Sequence, residues 1–383
     1  MGPLQRHFSS AFLVVFGAGG AVACAAATVA PPPCEAQEVL VLASDFSSSR
    51  VGGARGDGAS KLVGGIDLYK DPALARSQGR AFAIARDNDT ILELFPSCGL
   101  PNGKPPLSVV ASGARPGSKN PQDVAVAPDG TLWVPSFQQG LVDHLATDGT
   151  LLAPIDLSAF DDDKNPQASS AFTAKSAGKD ALFVVLERLD DGDLYASTRP
   201  SQLARFDAIT GAPTGVRDLA ARNPFGVAKQ DVDDPSVYWL ASAGNFDSSS
   251  DSAAGIERVD AAAFTSTLLV PESLLDGSVV ETSVAGRCGA AIVAGATANV
   301  NPTRAVLFDA INGGSVRELL PKTPGFDYYG IGITGEKGKH ILWIGDRRSV
   351  GGRYALHRFA LADDCTPTPL ADVFIAQKPV ALR

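Results

Sequence analysis

The stretch Asn120-Pro121-Gln122-Asp123-Val124-Ala125-Val126-Ala127-Pro128-Asp129-Gly130-Thr131-Leu132-Trp133-Val134 decides the fold. Asp123 to Ala127 alternates small and branched residues as an inner strand does. Pro128-Asp129-Gly130 then supplies a turn with glycine where a positive φ is needed. Thr131-Leu132-Trp133-Val134 reads as a second strand and Gly140-Leu141-Val142-Asp143-His144-Leu145 as a third. After the turn at Thr147-Asp148-Gly149, Leu151 to Leu157 supplies a fourth. Four antiparallel strands in about forty residues make one blade of a β-propeller.

The same grammar recurs on both sides. Ala181-Leu182-Phe183-Val184-Val185, Ser236-Val237-Tyr238-Trp239-Leu240 and His340-Ile341-Leu342-Trp343-Ile344 match the second strand. Asn223-Pro224-Phe225-Gly226-Val227-Ala228 and Tyr329-Gly330-Ile331-Gly332-Ile333 match the first. Asp207-Ala208-Ile209-Thr210-Gly211 and Asp309-Ala310-Ile311-Asn312-Gly313 are near-duplicate hairpin turns. An apolar anchor beside an acid or base also repeats, at Ile66-Asp67-Leu68, Glu93-Leu94-Phe95, Asp143-His144-Leu145, Arg205-Phe206-Asp207, Arg258-Val259-Asp260, Leu307-Phe308-Asp309 and His357-Arg358-Phe359. From Phe95 the anchors stand at 95, 145, 206, 259, 308 and 359, in steps of 50, 61, 53, 49 and 51. A period of about 40–50 residues built from strands and tight turns is that of a propeller.

The step of 27 residues from Leu68 to Phe95 is too short for a whole blade. The expectation is therefore an all-β propeller of about seven four-stranded blades with a degenerate first or second one, six being the alternative. Gly52-Gly53-Ala54-Arg55-Gly56-Asp57-Gly58 reads as a flexible insertion, and Val39-Leu40-Val41-Leu42-Ala43 as a second strand without a first. Lys378-Pro379-Val380-Ala381-Leu382 resembles the Asn-Pro openings of other blades, so the C-terminal segment is expected to return as the missing innermost strand. Such closure removes the edge that an open ring would expose.

Hydrophobic residues make up 45% of the 383 and charged residues 20%, enough to bury a large core and too apolar for global disorder. The 39 glycines and 26 prolines punctuate the chain at short intervals, as many short strands require. A net charge of −9 without any basic, aromatic-interleaved stretch excludes a nucleic-acid groove. The chain is expected to be a monomer.

Residues 1–23 read as a signal peptide: Arg6 in the n-region, Ala11-Phe12-Leu13-Val14-Val15-Phe16 as the h-region and Ala21-Val22-Ala23 at the cleavage site. Small residues leading into Cys24 resemble a bacterial lipobox, although Ala21 stands where leucine is usual. That resemblance implies lipid on Cys24 and a membrane as partner, with residues 24–37 a lipid-attached or flexible tether and residues 38–383 a single propeller domain. The alternative is a secreted or periplasmic protein cut nearby. Cys34, Cys98, Cys288 and Cys365 remain, an even number that suggests two disulfides in an oxidising compartment. Three connectivities are open, besides buried free thiols. The pairing Cys34–Cys98 with Cys288–Cys365 is preferred because each pair joins neighbouring repeats.

The stretch from Asn120 to Val134 resembles surface-layer, YVTN-type and NHL-like propeller repeats. Asp156-Leu157, Asp161-Asp162-Asp163, Phe183-Val184-Val185-Leu186-Glu187-Arg188-Leu189 and Asn223-Pro224-Phe225-Gly226 resemble predicted bacterial lipoproteins with YncE-like propellers. This resemblance implies a cell-surface or periplasmic propeller and transfers no catalytic residue.

Candidate sites are few. Asp161, Asp162 and Asp163, followed by Asp190-Asp191-Gly192-Asp193, are acidic loops, and Ca²⁺ takes roughly six to eight oxygen ligands of this kind. They lack the spaced D-x-D-x-D-G pattern, so solvated turns are the first reading, calcium the second, and no other cofactor is expected. His144 and His357 look like equivalent positions of two third strands, a structural slot, and His340 has no neighbour in sequence to act with. SMP-30-like lactonases hold a divalent metal in a propeller channel. By analogy Asn120, Asp123, Asn223, Glu281 and Asp327 are channel-facing candidates. The leading expectation is a non-enzymatic binding or scaffold protein at the cell envelope that takes a protein or carbohydrate ligand on its loops or channel mouth. The alternative is a metal-dependent hydrolase or a lyase acting at the channel. Replacing Cys24 by alanine should move the protein from the membrane to the soluble fraction on cell fractionation, and retention in the membrane would refute lipidation.

Overall fold

The computed structural model describes residues 34–66, 68, 71–109, 118–245, 251–295 and 302–383. The expected signal peptide at 1–23, Cys24 and residues 25–33 of the expected tether lie outside the described residues. Seven four-stranded antiparallel sheets follow one another in a ring, a seven-bladed β-propeller. The innermost strands of blades 1 to 7 are Pro379–Leu382, Pro72–Ser77, Ala125–Val126, Ala168–Ser176, Lys229–Gln230, Ser278–Ala285 and Tyr328–Thr334. In blades 2 to 7 the chain runs outward from there, strand by strand.

Blade 1 is made from both ends of the fold. Pro379–Leu382 pairs with Val39–Ser44 in the registers Val41↔Leu382 and Leu42↔Ala381, and Ser49–Ala54 and Ser60–Ile66 complete the sheet. The closure read from Lys378-Pro379-Val380 is the observed one.

Each second strand is buried on both faces, which explains its unbroken apolar run. Side chains alternate across a strand, so odd and even positions enter different cores. In Leu132–Ser136, Leu132 and Val134 pack between blades 2 and 3, and Trp133 packs between blades 3 and 4. Phe183 and Val185 face blade 5, while Leu182 and Val184 face blade 3. Trp239 faces blade 6 and Trp343 faces blade 1. The buried apolar side chains accordingly form seven clusters, one between each pair of adjacent blades. The three tryptophans keep their indole N–H groups bonded, to the Ala208 carbonyl, to Asp231 and to Thr334.

The twin turns have one construction. Asp207 Oδ1 accepts the N–H groups of Ile209 and Thr210, Asp309 Oδ1 those of Ile311 and Asn312, and each turn closes on a glycine at φ +71° or +69°. A Cβ on Gly211 would meet the Trp133 ring at 2.8 Å, and one on Gly313 the Leu269 carbonyl oxygen at 2.0 Å. Glycine serves both the positive φ and the close approach of the neighbouring blade.

Both disulfides form in the preferred pairing, Cys34–Cys98 and Cys288–Cys365. The first holds Cys34 to the segment after the third strand of blade 2, and Gln37 N–H donates to the Ser97 carbonyl at 2.8 Å. Residues 34–37 are thus fastened to the propeller.

Three expectations are corrected. No blade is degenerate: Pro72–Ser77, Arg80–Ala85, Thr90–Leu94 and Leu107–Ser108 make a complete blade 2. The short step arose because Ile66 ends an outermost strand, whereas the anchors from Phe95 onward mark third strands. Gly52 and Gly53 are no flexible insertion but part of the buried strand Ser49–Ala54, where a Cβ on Gly52 would lie 1.9 Å from the Lys61 carbonyl oxygen. His144 pairs with Trp133, but Trp343 pairs with Arg358 and Ile344 with His357. The equivalent of His144 is therefore Arg358, which lies over Trp343 at 4.7 Å as His144 stacks on Trp133 at 3.7 Å. His357 is one residue out of phase and faces the other way.

Leu382 is fully buried in the cluster that joins blades 7 and 1. Its replacement by alanine should cost about 2–5 kcal/mol. Deleting residues 378–383 should lower the melting temperature further still, and an unchanged melting temperature would refute the role of this strand in closure.

Candidate axial binding site

An innermost strand has a partner on one side only, so its other edge faces the axis with backbone groups unpaired. Side chains of the preceding blade supply the missing partners. Ser77 Oγ accepts Val126 N–H at 3.0 Å, Ser170 Oγ accepts Ala228 N–H at 2.9 Å, and Ser283 Oγ accepts Ile333 N–H at 3.0 Å. Two acids do the same at bulges. The register of blade 4 shifts between Ala168 and Ser170, and Asp123 Oδ2 accepts Ala171 N–H at 3.2 Å and the Ser170 hydroxyl at 2.7 Å. The register of blade 7 shifts between Tyr328 and Ile331, and Glu281 Oε2 accepts the N–H groups of Gly330 at 2.9 Å and Ile331 at 3.1 Å. A bulge leaves N–H groups out of the ladder, and here they turn to a carboxylate.

Within this polar ring lie two neighbouring spaces. The larger, about 1070 Å³, opens where the innermost strands finish and is lined by Arg76, Ser77, Asp123, Thr173, Ser283 and Thr334 among others. The smaller, about 330 Å³, opens where the strands begin, beside Pro72, Glu281, Tyr329 and Val380. Val227, Lys229 and Arg383 line both.

Lys229 and Arg383 form the neck with Glu281. Lys229 Nζ donates to Glu281 Oε1 at 2.6 Å and to the Ile331 carbonyl. Arg383 Nη1 lies 3.6 Å from the same carboxylate oxygen. Burial pushes the Lys229 amine down to about 7; Glu281 opposes the shift and Arg383 adds to it. Burial likewise raises Asp123 above the usual carboxylate range, against its bonds from Ser170 and the backbone.

Of the channel-facing candidates, Asp123 and Glu281 lie on the cavity walls and Asn120, Asn223 and Asp327 do not. Asn120 and Asn223 instead hold left-handed conformations at φ 52° and 53° before a proline. Their carbonyls accept the N–H groups of Phe137 and Ala243, which ties each blade opening to the end of its second strand. The residue before each asparagine is a paired cation: the buried Lys119 with Asp143 at 2.7 Å and the half-buried Arg222 with Asp251 at 3.0 Å. Asp327 N–H donates to Thr303 Oγ1. Asp161 is buried against Arg199, with Asp162 N–H on its Oδ1, while Asp163 caps Asn165 N–H at 2.8 Å and Asp162 is exposed. Asn165 and Gln167 reach Asp191, so the two acidic loops touch each other away from the axis. Among the described residues no three His, Cys, Asp or Glu side chains gather in a group suited to a metal ion.

The axial residues that went unread in the sequence are Ser77, Ser283, Lys229 and Arg383 on the walls and Ser170 behind them. The three serines belong to the innermost strands of blades 2, 4 and 6, at different distances along them, so no positional repeat in the sequence marks them. Lys229 follows the Asn-Pro opening of blade 5 by a few residues, and nothing local marks Arg383, which reaches the neck through closure.

The histidines are bound off the axis. His144 Nε2 lies 2.8 Å from Thr131 Oγ1 and His340 Nε2 lies 3.2 Å from Asp233. His357 bridges Asp346 and Asp372 at 3.1 Å each. Burial opposes protonation of His357, but the two carboxylates outweigh it and raise its pKa above the ordinary 6.5.

No protein-family model and no curated protein sequence matches the chain. In solved structures it is similar to the Dos1 propeller, at 11% identity over 90% of this chain and 86% of that one, with a TM-score of 0.54. It is also similar to hydrazine synthase of Kuenenia stuttgartiensis, at 14% identity over 80% and 87% of the two chains, with a TM-score of 0.53. A streptogramin B lyase aligns at 12% identity over 81% and 86%, with a TM-score of 0.49. At such identities the likeness is one of fold, a seven-bladed propeller consistent with YVTN- and NHL-type repeats.

Since the folded pKa of His357 is raised, its bridge stabilises fully below pH 6.5 and fades as pH rises through the folded value. His357→Gln should therefore lose about 1 kcal/mol at pH 5.5 and much less at pH 8.5, read as the change in melting temperature at each pH. Equal losses at both would refute the charged bridge.

Proposed function

We propose that this is an exported propeller, anchored to the cell envelope through lipid on Cys24, that binds a small ligand on its axis without transforming it. The observation that carries the reading is the axial cavity of about 1070 Å³, just beyond the range of roughly 300–1000 Å³ that small-ligand sites span. Its wall acids already have partners: Asp123 holds Ser170 and Ala171 N–H, and Glu281 holds Lys229 and two further N–H groups. A carboxylate so engaged is a poor general base, and no three His, Cys, Asp or Glu side chains among the described residues gather to suit a metal ion. Export is supported by two disulfides that cross blade boundaries, bonds that persist in oxidising compartments. The resemblance to envelope lipoproteins with YncE-like propellers points the same way.

Val227 lines both spaces and is half-buried, so Val227→Trp should fill the neck without breaking a hydrogen bond made by its side chain. Native mass spectrometry of the chain purified from cell envelopes should show a small molecule bound to the wild type and absent from Val227→Trp, with unchanged melting. No bound compound, or equal retention by both, would overturn the reading.

A further inference from the structure

The smaller axial space has a charge balance opposite to that of the protein. The chain carries −9 overall, yet the charged residues lining this space are Arg86, Lys229, Arg347 and Arg383 against Asp71 and Glu281. Asp71 already pairs with Arg86 at 3.2 Å, and Glu281 with Lys229 and two backbone N–H groups. Among the described residues Arg347 forms no ion pair with a carboxylate; its guanidinium lies over Phe46 at 5.4 Å and Tyr329 at 5.9 Å. The Nε atoms of Arg347 and Arg86 are buried without a hydrogen-bond acceptor, a costly state for a charged donor. Burial also lowers the Arg347 pKa, outweighing the pull of Tyr329 and Asp327.

The rim is aromatic. Tyr329 and Phe326 pack at 5.3 Å, and Phe46 is 48% exposed at the mouth. Phe46 takes φ 65°, an uncommon conformation for a bulky residue, held by its N–H on Ser44 Oγ and by Asp45 capping Ser47 and Ser48. A large ring is thereby kept at the opening instead of folding onto the core.

We propose that this smaller space, about 330 Å³, binds a carboxylate carried on a small aromatic or apolar body, with the charge on Arg347, Arg383 and Lys229 and the body against Phe46 and Tyr329. The assignment rests on the axial-ligand reading above and names the class of ligand. A guanidinium fork matches a carboxylate in two hydrogen bonds, and protonated Lys229 has a third N–H beyond those on Glu281 and the Ile331 carbonyl.

The test uses the purified chain with three probes of one shape, 3-phenylpropionate, 3-phenylpropanol and 3-phenylpropylamine, followed by calorimetry and ligand-observed NMR. The carboxylate should bind about tenfold more tightly than the alcohol, and the amine should not bind. Arg347→Leu should remove that advantage while leaving the alcohol affinity unchanged. Phe46→Ala, at an exposed side chain, should weaken carboxylate and alcohol alike and serves if Arg347→Leu fails to fold. Equal affinity for carboxylate and alcohol, no binding of the carboxylate, or full carboxylate affinity in Arg347→Leu would overturn the proposal. If the carboxylate fails while a neutral compound still co-purifies and is lost in Val227→Trp, axial binding stands and the anion assignment falls.

Discussion

Ring closure is the constraint on which this structure depends. Every blade needs a neighbour on both faces, because its second strand is apolar on both sides. Seven interblade clusters meet that need only if blade 7 finds blade 1, and blade 1 is whole only when Pro379–Leu382 lies against Val39–Ser44. Val39, Val41 and Leu382 enter the blade 7–1 cluster, while Leu40, Leu42 and Val380 enter the blade 1–2 cluster. The closing strand thus joins two hydrophobic cores as well as one hydrogen-bonded ladder. The disulfides reinforce interfaces on either side of it, Cys34–Cys98 towards blade 2 and Cys288–Cys365 between blades 6 and 7.

Closure creates a second problem, a ring of unpaired strand edges around the axis. The chain answers it with side chains, not strands: Ser77, Asp123, Ser170, Glu281 and Ser283 each take N–H groups from the next blade. This explains why the channel is polar. Asp123 and Glu281 stand where a metal or base would be sought, yet their oxygens hold bulged backbone. The cations are what the ring leaves over. Arg347 stacks on aromatic rings and Arg383 arrives with the closing strand, so the smaller mouth gathers positive charge in an acidic protein.

The acidic loops show the same economy of partners. Asp161, one of the three calcium candidates of its loop, is buried with Arg199 and sits 3.8 Å from Arg188. Asp191 takes Asn165 and Gln167. These bonds fix the loop geometry around blade 4 at the same end of the propeller at which the innermost strands begin.

Local sequence determined the blade. Alternation set the two-faced second strands, Asp-Gly and Thr-Gly turns set the hairpins, and the 49–61-residue spacing set their number once Ile66 is read as an outermost strand. Closure was legible in Lys378-Pro379-Val380, and the cysteine pairing in its spacing along neighbouring repeats. Tertiary structure decided the rest. Whether Gly52-Gly53 is loose or buried depends on the Lys61 backbone packed against it, and the phase of His357 on a register that a one-residue slip reverses. The neck of Lys229, Glu281 and Arg383 draws on three blades, 5, 6 and 1. Residues 102 positions apart along the chain, Lys229 and Glu281's neighbour Ile331 of blade 7, touch there because the ring brings innermost strands to one axis. Strand patterning is a local property, whereas what faces the axis is a property of the closed ring.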